Sequence, residues 1–224
     1  SVFSARMKSG FSDGAFSLRF NMLNWYDENN ELLLDLVLKD LSALAPLAYA
    51  DTLQAEGNMK GTLRPLENKY LHFLGSVDFS NVAYNSLFTT DRVEGSVDIH
   101  LREMLSYNTD LELQQPSFSG IPLQNLKIQT QGSYFDGSAE GQYDFQLSSA
   151  TDGRIEQSGS YRVAPDSVLL NTNELNFISD YRMLTLEEPF ELEYKKERLR
   201  LDTLRISSGD GAYLEIGLPV LSAE

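Results

Sequence analysis

The residue types best suited to chemistry are two histidines, His72 and His100, the only imidazoles in the chain. A histidine can act as a general base or as a metal ligand. Each of these two lies inside a run predicted to be a strand, with no acidic or serine partner at the spacing of a catalytic motif. Carboxylates are plentiful, but they fall in turns or at outward positions, so no two stand out as a glycosidase pair. We therefore predict that the chain is not an enzyme.

Oxygen-rich side chains cluster once, in the segment Asp27–Glu31. The segment lacks the Asp-x-Asp-x-Asp-Gly order that calcium loops use, which favours a hairpin tip. Trp25 and Tyr26 precede it and are interpreted as an aromatic cap on a strand end. The chain has no cysteine, which excludes disulfides and thiolate chemistry. The sequence predicts no metal and no cofactor.

The charge balance also limits the partners. Eighteen basic and 33 acidic residues give a formal charge of −15, which disfavours nucleic acid because phosphate binding needs clustered Lys and Arg. The longest apolar stretches, Leu32–Leu34 and Leu36–Leu38, are far shorter than the roughly 20 residues of a membrane-spanning helix. The chain opens on Ser1 with no signal-peptide pattern, and patterned sequence follows almost at once. We expect a piece of a longer protein that does not span a membrane by itself.

The elements that position these residues follow a period of two. Alternation of apolar and polar residues indicates strands with one apolar face and one solvated face. Turn dipeptides between the runs predict antiparallel meanders. The turns are assigned to Asp13-Gly14, Asn29-Asn30, Asp136-Gly137, Asp152-Gly153 and Asp210-Gly211. The clearest alternating runs are Phe16–Met22, Gly95–Leu101, Gln142–Leu147, Asn173–Ile178, Phe190–Tyr194, Arg198–Leu201 and Tyr213–Ile216.

Two segments depart from this pattern. Asp40–Ala50 is rich in Ala and Leu around Pro46, which favours a short helix or a connector. Leu101–Leu105 could form a helical turn at a strand end. Glycine recurs near the starts of strands, where it indicates either an ordinary strand boundary or a sheet that bends along its length. The predicted fold is all-β, an antiparallel meander with at most one or two short helices, in a single segment 1–224 that is weakly subdivided near 115–120.

Several motifs together resemble the TamB/AsmA-like family, in its DUF490-type segment. The resemblance covers nearly the whole chain, although no single motif is diagnostic. The motifs are Leu41-x-x-Leu44-x-Pro46 followed by Ala55–Leu63, then Leu74–Phe79, Leu123–Ile128, Glu188-Pro189-Phe190 and the closing hairpin Leu204–Gly217. The family's extreme C-terminal partner-binding region is not recognisable here.

The resemblance implies a long periplasmic protein of a diderm bacterium, anchored in the inner membrane. Its strands would curl into an elongated, taco-like β-groove with an apolar interior that conducts phospholipid towards the outer membrane. An outer-membrane barrel partner would bind through the parent protein. Acyl chains suit such a wall because each buried methylene contributes about 0.8 kcal/mol without directional demand. The predicted groove-lining residues are Leu18, Phe20, Val97, Ile99, Leu111, Leu113, Tyr143, Phe145, Leu199, Leu201, Leu214 and Ile216.

Alternation alone leaves other interpretations open. The same apolar row could pack as the core of a closed sandwich. The chain could be a scaffold whose edge strand pairs with client β-proteins during outer-membrane assembly. It could also be a carbohydrate-binding β-sandwich with Trp25, Tyr26 and Tyr134-Phe135 as stacking aromatics.

Overall fold

The computed structural model describes residues 2–8, 12–19, 27, 30–39, 42, 51–66, 70–149, 153–195 and 198–222; side chains are described for these except 2–8, 12–19, 202 and 217–222. The chain divides into two compact units, Ser1–Asn125 and Leu126–Glu224. The boundary lies a few residues beyond the weak subdivision considered near 115–120. Each unit is a β-sheet, and the described residues contain no α-helix.

Unit 1 is a meander in which successive strands pair in antiparallel fashion from β1 to β7. A small hairpin of β8 and β9 follows, and β8 pairs with the start of β6. The strands are β1 (Val2–Lys8), β2 (Ser12–Arg19), β3 (Glu31–Leu38), β4 (Leu53–Pro65), β5 (Leu71–Tyr84), β6 (Phe88–Leu101), β7 (Leu105–Gln114), β8 (Ser117–Phe118) and β9 (Ile121–Pro122).

Unit 2 continues the same pattern, beginning inside β10. Strands β13 and β16 each pair with both β14 and β15, so these two short strands share one position in the sheet. Pro189, which has no N–H to donate, lies in the interruption between them. The strands are β10 (Asn125–Phe135), β11 (Ser138–Ser148), β12 (Arg154–Ala164), β13 (Ser167–Ile178), β14 (Met183–Leu186), β15 (Phe190–Lys195), β16 (Arg198–Ser208) and β17 (Tyr213–Ser222).

Of the turn dipeptides predicted from the sequence, the structure places two between strands and one inside a strand. Asp136-Gly137 joins β10 to β11 with both residues at positive φ, 48° and 77°, as the two-residue hairpin turn requires. Asp210-Gly211 lies between β16 and β17, with Gly211 at φ 88°. The assignment of Asp13-Gly14 to a turn was wrong, because both residues lie within β2, where Gly14 pairs with Met7 and Leu36.

The helical turn considered for Leu101–Leu105 was also wrong. Leu101 and Leu105 pair across a tight reversal, and the residues between them form a bend that joins β6 to β7. Of the segment Asp40–Ala50 only Ser42 is described, so the predicted helix or connector lies outside the described residues. The other positions of the sequence predictions that lie outside them are 20–22, Trp25, Tyr26, 28–29 and Asp152.

Within the described residues, no helix has the length and apolarity needed to cross a bilayer. The predicted fold class is confirmed: the chain is all-β, its strands form antiparallel meanders, and alternation gives the sheet an apolar face.

Candidate functional site

The register of unit 1 aligns apolar residues across strand after strand on one side of the sheet. Paired residues of antiparallel strands share a face, and one row runs Leu32, Leu63, Phe73, Ile99 and Tyr107. We call this side the unit 1 apolar face. Its described members are Leu32, Leu34, Leu36, Leu38, Gly57, Met59, Gly61, Leu63, Pro65, Leu71, Phe73, Gly75, Val77, Phe79, Val93, Gly95, Val97, Ile99, Leu101, Leu105, Tyr107, Thr109, Leu111 and Leu113.

The unit 1 apolar face is only half-buried. Leu113, at 6% exposure, and Pro65 are buried, whereas the other members keep part of their surface accessible. In the described part of the chain the buried hydrophobic residues are Ala55, Leu113, Leu126, Leu175 and Ile206. A close-packed sandwich core encloses most of its large apolar side chains fully. The unit 1 apolar face therefore differs from the interior of a closed sandwich.

The opposite side of the same strands is polar. Charged and hydrogen-bonding side chains occupy most of its alternate positions along β4 to β7, with the exposed Leu74 as an apolar exception, and we call it the unit 1 polar face. It carries Asn58, Lys60, Thr62, Arg64, His72, Ser76, Asp78, Arg92, Glu94, Ser96, Asp98, His100, Ser106, Asn108, Asp110 and Glu112. Water therefore suits one side of the sheet and an apolar environment suits the other.

Glycines flatten the unit 1 apolar face. A Cβ added at Gly61 would lie 2.5 Å from the ring of Phe73, and one at Gly75 would lie 2.7 Å from the same ring. The ring thus covers both glycines, an arrangement in which an aromatic side chain shields glycine backbone. Leu111 lies against Gly95 in a similar way. Phe73 and Leu111 therefore lie along the sheet over these glycines, which lowers the relief of the wall at those positions.

Unit 2 has an apolar face of its own. On β11 the inward residues are half-buried or better, and the intervening ones are exposed. Register carries this side across to β17 through the pairs that join β12, β13, β15 and β16. We call it the unit 2 apolar face. Its large apolar members are Tyr143, Phe145, Leu147, Ile155, Tyr161, Val163, Val168, Leu170, Leu175, Phe177, Leu184, Leu186, Phe190, Leu192, Tyr194, Leu199, Leu201, Leu204, Ile206, Leu214 and Ile216.

Three polar groups close a triangle of hydrogen bonds on the unit 2 apolar face. The hydroxyls of Tyr143 and Thr172 lie 2.9 Å apart, and Nε2 of Gln157 donates to each of them at 2.9 Å. Thr172 is fully buried, at 0% exposure. Because each group satisfies the others, they tolerate the apolar surroundings. We call these residues the polar triangle.

Removing one hydroxyl of the polar triangle should lower the stability of unit 2. Thr172→Val keeps the shape but deletes the hydroxyl, which leaves Tyr143 and Gln157 each short of a partner. We expect a loss of about 1–3 kcal/mol in the free energy of unfolding, measured by chemical denaturation. The control is a double-mutant cycle with Tyr143→Phe, in which the double variant should lose less than the sum of the single variants. Strict additivity would show that the two hydroxyls do not interact.

The structure brings most of the predicted lining residues together within their units. Val97, Ile99, Leu111 and Leu113 lie on the unit 1 apolar face. The residues placed on the unit 2 apolar face are Tyr143, Phe145, Leu199, Leu201, Leu214 and Ile216, although Leu214 and Ile216 are 49% and 37% exposed.

The remaining two predicted lining residues fall in or beside β2. Leu18 pairs with Leu32 in the backbone register, and its side chain lies outside the described residues, as does Phe20.

Sequence reasoning missed the leucines of β3, namely Leu32, Leu34, Leu36 and Leu38. Leu33 and Val37 are apolar at outward positions and hide the alternation. The overlooked signal was Asp35, the one charge inside that run.

Among the described residues, β5 and β6 contribute two charged groupings to the unit 1 polar face. Arg92 donates to both carboxylate oxygens of Asp78 at 2.8 Å and lies 3.2 Å from Glu94. The hydrogen bond from Arg92 holds the pKa of the Asp78 carboxyl below its ordinary value. The second grouping joins both histidines through Asp98.

The second grouping does not follow any catalytic sequence motif, so the sequence did not predict it. Asp98 and His100 are two residues apart in one strand and therefore share a face, which is a signal that the sequence contained. His72 reaches them only through the register of β5 with β6, which pairs it with His100.

Comparisons with known proteins found no matching family model, no matching curated protein and no matching solved structure.

Proposed function

We propose that the chain is a segment of a bridge-like lipid-transport protein, whose apolar β-faces conduct phospholipid between the inner and outer membranes and so support outer-membrane biogenesis. The observation that carries the proposal is the unit 1 apolar face. It extends over successive strands and keeps most of its large apolar side chains half-buried. A contiguous apolar surface that a protein leaves accessible marks a binding site for an apolar partner.

The form of the unit 1 apolar face favours acyl chains over a folded protein partner. Protein interfaces usually contain projecting side chains that fill pockets. Here Phe73 lies flat over Gly61 and Gly75, and the wall offers low relief instead. Methylene groups gain about 0.8 kcal/mol each from burial and need no pocket. The polar headgroup would remain in water at the edge of the sheet.

The resemblance to TamB/AsmA-like proteins supports the same proposal, since it implies a periplasmic protein that handles phospholipid. The positions of the exposed aromatic residues give little support to the carbohydrate-binding alternative. Tyr134 and Phe135 are exposed, but they are neighbours in β10 and so point to opposite faces. Their rings therefore do not form one stacking platform.

Site-specific photocrosslinking tests the proposal. A photoreactive residue at Val97 or Phe145 should label acyl chains in protein purified from membranes or incubated with phospholipid vesicles, because both positions lie on apolar faces. Mass spectrometry of the adducts and lipid extraction of the purified chain provide the measurement.

The adjacent positions Ser96 and Asp144 are matched controls, since both are exposed and point to the other side of the same strands. They should give little or no labelling. Absence of co-purifying lipid, together with equal labelling at Val97 and Ser96, would contradict the proposal.

A further inference from the structure

Two imidazoles and one carboxylate meet on the unit 1 polar face. His72 on β5 lies directly opposite His100 on β6, and their rings stack with centroids 4.2 Å apart and planes 11° from parallel. Asp98 is two residues before His100, on the same side of β6. Its Oδ1 atom lies 2.7 Å from Nε2 of His72 and 3.3 Å from Nε2 of His100. Both rings therefore direct the same nitrogen at one carboxylate oxygen.

These distances suit a small metal ion. One ligand atom from each of the three residues lies within 4.8 Å of the other two. Around a tetrahedral zinc ion, bonds of about 2.0–2.1 Å place the ligand atoms roughly 3.4 Å apart. A metal ion binds an imidazole nitrogen in the plane of its ring, so the two stacked rings would have to rotate out of their parallel arrangement to share one ion. The paired strands hold the three backbones in place for that rotation.

We propose that His72, Asp98 and His100 bind a divalent transition-metal ion of the zinc class. Two imidazoles with one carboxylate are the donor set that such ions take, whereas calcium and magnesium prefer oxygen ligands alone. The side chains are 25%, 38% and 33% exposed, so an ion reaches them directly from solvent. Three protein ligands leave a fourth position for water or for a group from a partner.

The surroundings set the strength of binding. Metal-ligating histidines usually donate their second ring nitrogen to an acceptor, which raises affinity by about 10–100-fold. Nδ1 of His100 is buried and has no hydrogen-bond partner. We therefore expect micromolar rather than nanomolar affinity. The site lies on the side of the sheet away from the apolar face, and it does not depend on the lipid proposal.

The test titrates ZnCl₂ into the metal-stripped chain by isothermal calorimetry, with excess MgCl₂ present to occupy general acidic surface. The chain should bind one zinc ion at a saturable site. His72→Gln and His100→Gln should each weaken binding at least about tenfold, because each removes one of three ligands. Zinc should also raise the thermal midpoint, since it links β5 to β6 and binds only the folded state.

Glu94→Gln is the matched control for Asp98→Asn, because both remove one negative charge from the same face of β6. Asp98→Asn should weaken zinc binding, and Glu94→Gln should leave it unchanged. Circular dichroism confirms that each variant keeps its strands. The proposal is overturned if no saturable site is found, or if the histidine variants bind zinc and gain thermal stability from it as the unaltered chain does.

Discussion

Val97→Asp should reduce phospholipid binding to the chain at least about tenfold. Val97 lies on the unit 1 apolar face between Gly75 and Thr109, its register partners on the neighbouring strands. A carboxylate there displaces about two methylene contacts, worth roughly 1.6 kcal/mol. It also forces an acyl chain against a charge that must stay hydrated, which adds further cost. Together these terms exceed the 1.4 kcal/mol that corresponds to a factor of ten.

The control for this change is Ser96→Asp. Both variants add one negative charge to a chain whose formal charge is already −15, so general repulsion of anionic lipid is equal in the two. Ser96 is exposed on the polar face one residue away, and its variant should bind lipid normally. Bound phospholipid is measured by native mass spectrometry and by fluorescent-lipid titration.

Val97→Asp must remain folded for the comparison to be informative, and thermal unfolding followed by circular dichroism monitors this. Val97→Thr keeps the shape of the side chain and adds only a hydroxyl, so it should give a smaller loss of lipid in a folded protein. Equal lipid binding by the Val97→Asp and Ser96→Asp variants would contradict the assignment of this face to lipid.

The second large effect concerns Gly159, which is buried on the unit 2 apolar face. A Cβ at this position would lie 2.0 Å from the backbone oxygen of Asn171 and 3.0 Å from the hydroxyl of Tyr143. The backbone oxygen belongs to the paired strand β13 and can move only if the two strands separate. Gly159→Ala should therefore lower the free energy of unfolding by about 3 kcal/mol, the upper part of the range for overpacked sites.

The measurement is chemical denaturation together with thermal unfolding, where the midpoint should fall by roughly 10 °C. Gly209→Ala is the matched control, because an added Cβ there meets no atom within 4 Å. Its stability should stay close to that of the unaltered chain. If the two variants were equally stable, β12 and β13 would not approach as closely in solution as the structure places them.

The all-β meander was predictable because alternation is a local property of the sequence. Residues 142–147 alternate so regularly that β11 shows the same alternation in burial. The dipeptide Asp13-Gly14 was misleading for a physical reason. A glycine suits a turn, but it also suits a strand in which neighbouring side chains need room, and only the pairing distinguishes the two.

Predicting the candidate site from the sequence was harder, because its residues come together only through the register between strands. The polar triangle could not be predicted, because Gln157 and Thr172 are polar residues at inward positions that become compatible only when three strands align. A register shift between Ser158 and Gly159 further changes which residues of β13 face Tyr143. His72 likewise needs the β5–β6 pairing to reach Asp98. Alternation assigns each residue to one face of its own strand, but it does not show which residue of the adjacent strand lies beside it.

The sequential pairing of strands within each unit has a consequence for how the protein folds. Most strands of unit 1 pair with their immediate neighbours in the chain, as in the series from β3 to β7. Contacts of this kind close short loops, and chains rich in them fold quickly for β-proteins. Each hairpin can form as soon as its two strands are available, before later strands exist. A sheet assembled in this order could also be lengthened during evolution by duplicating a hairpin, without new partners for the strands already in place.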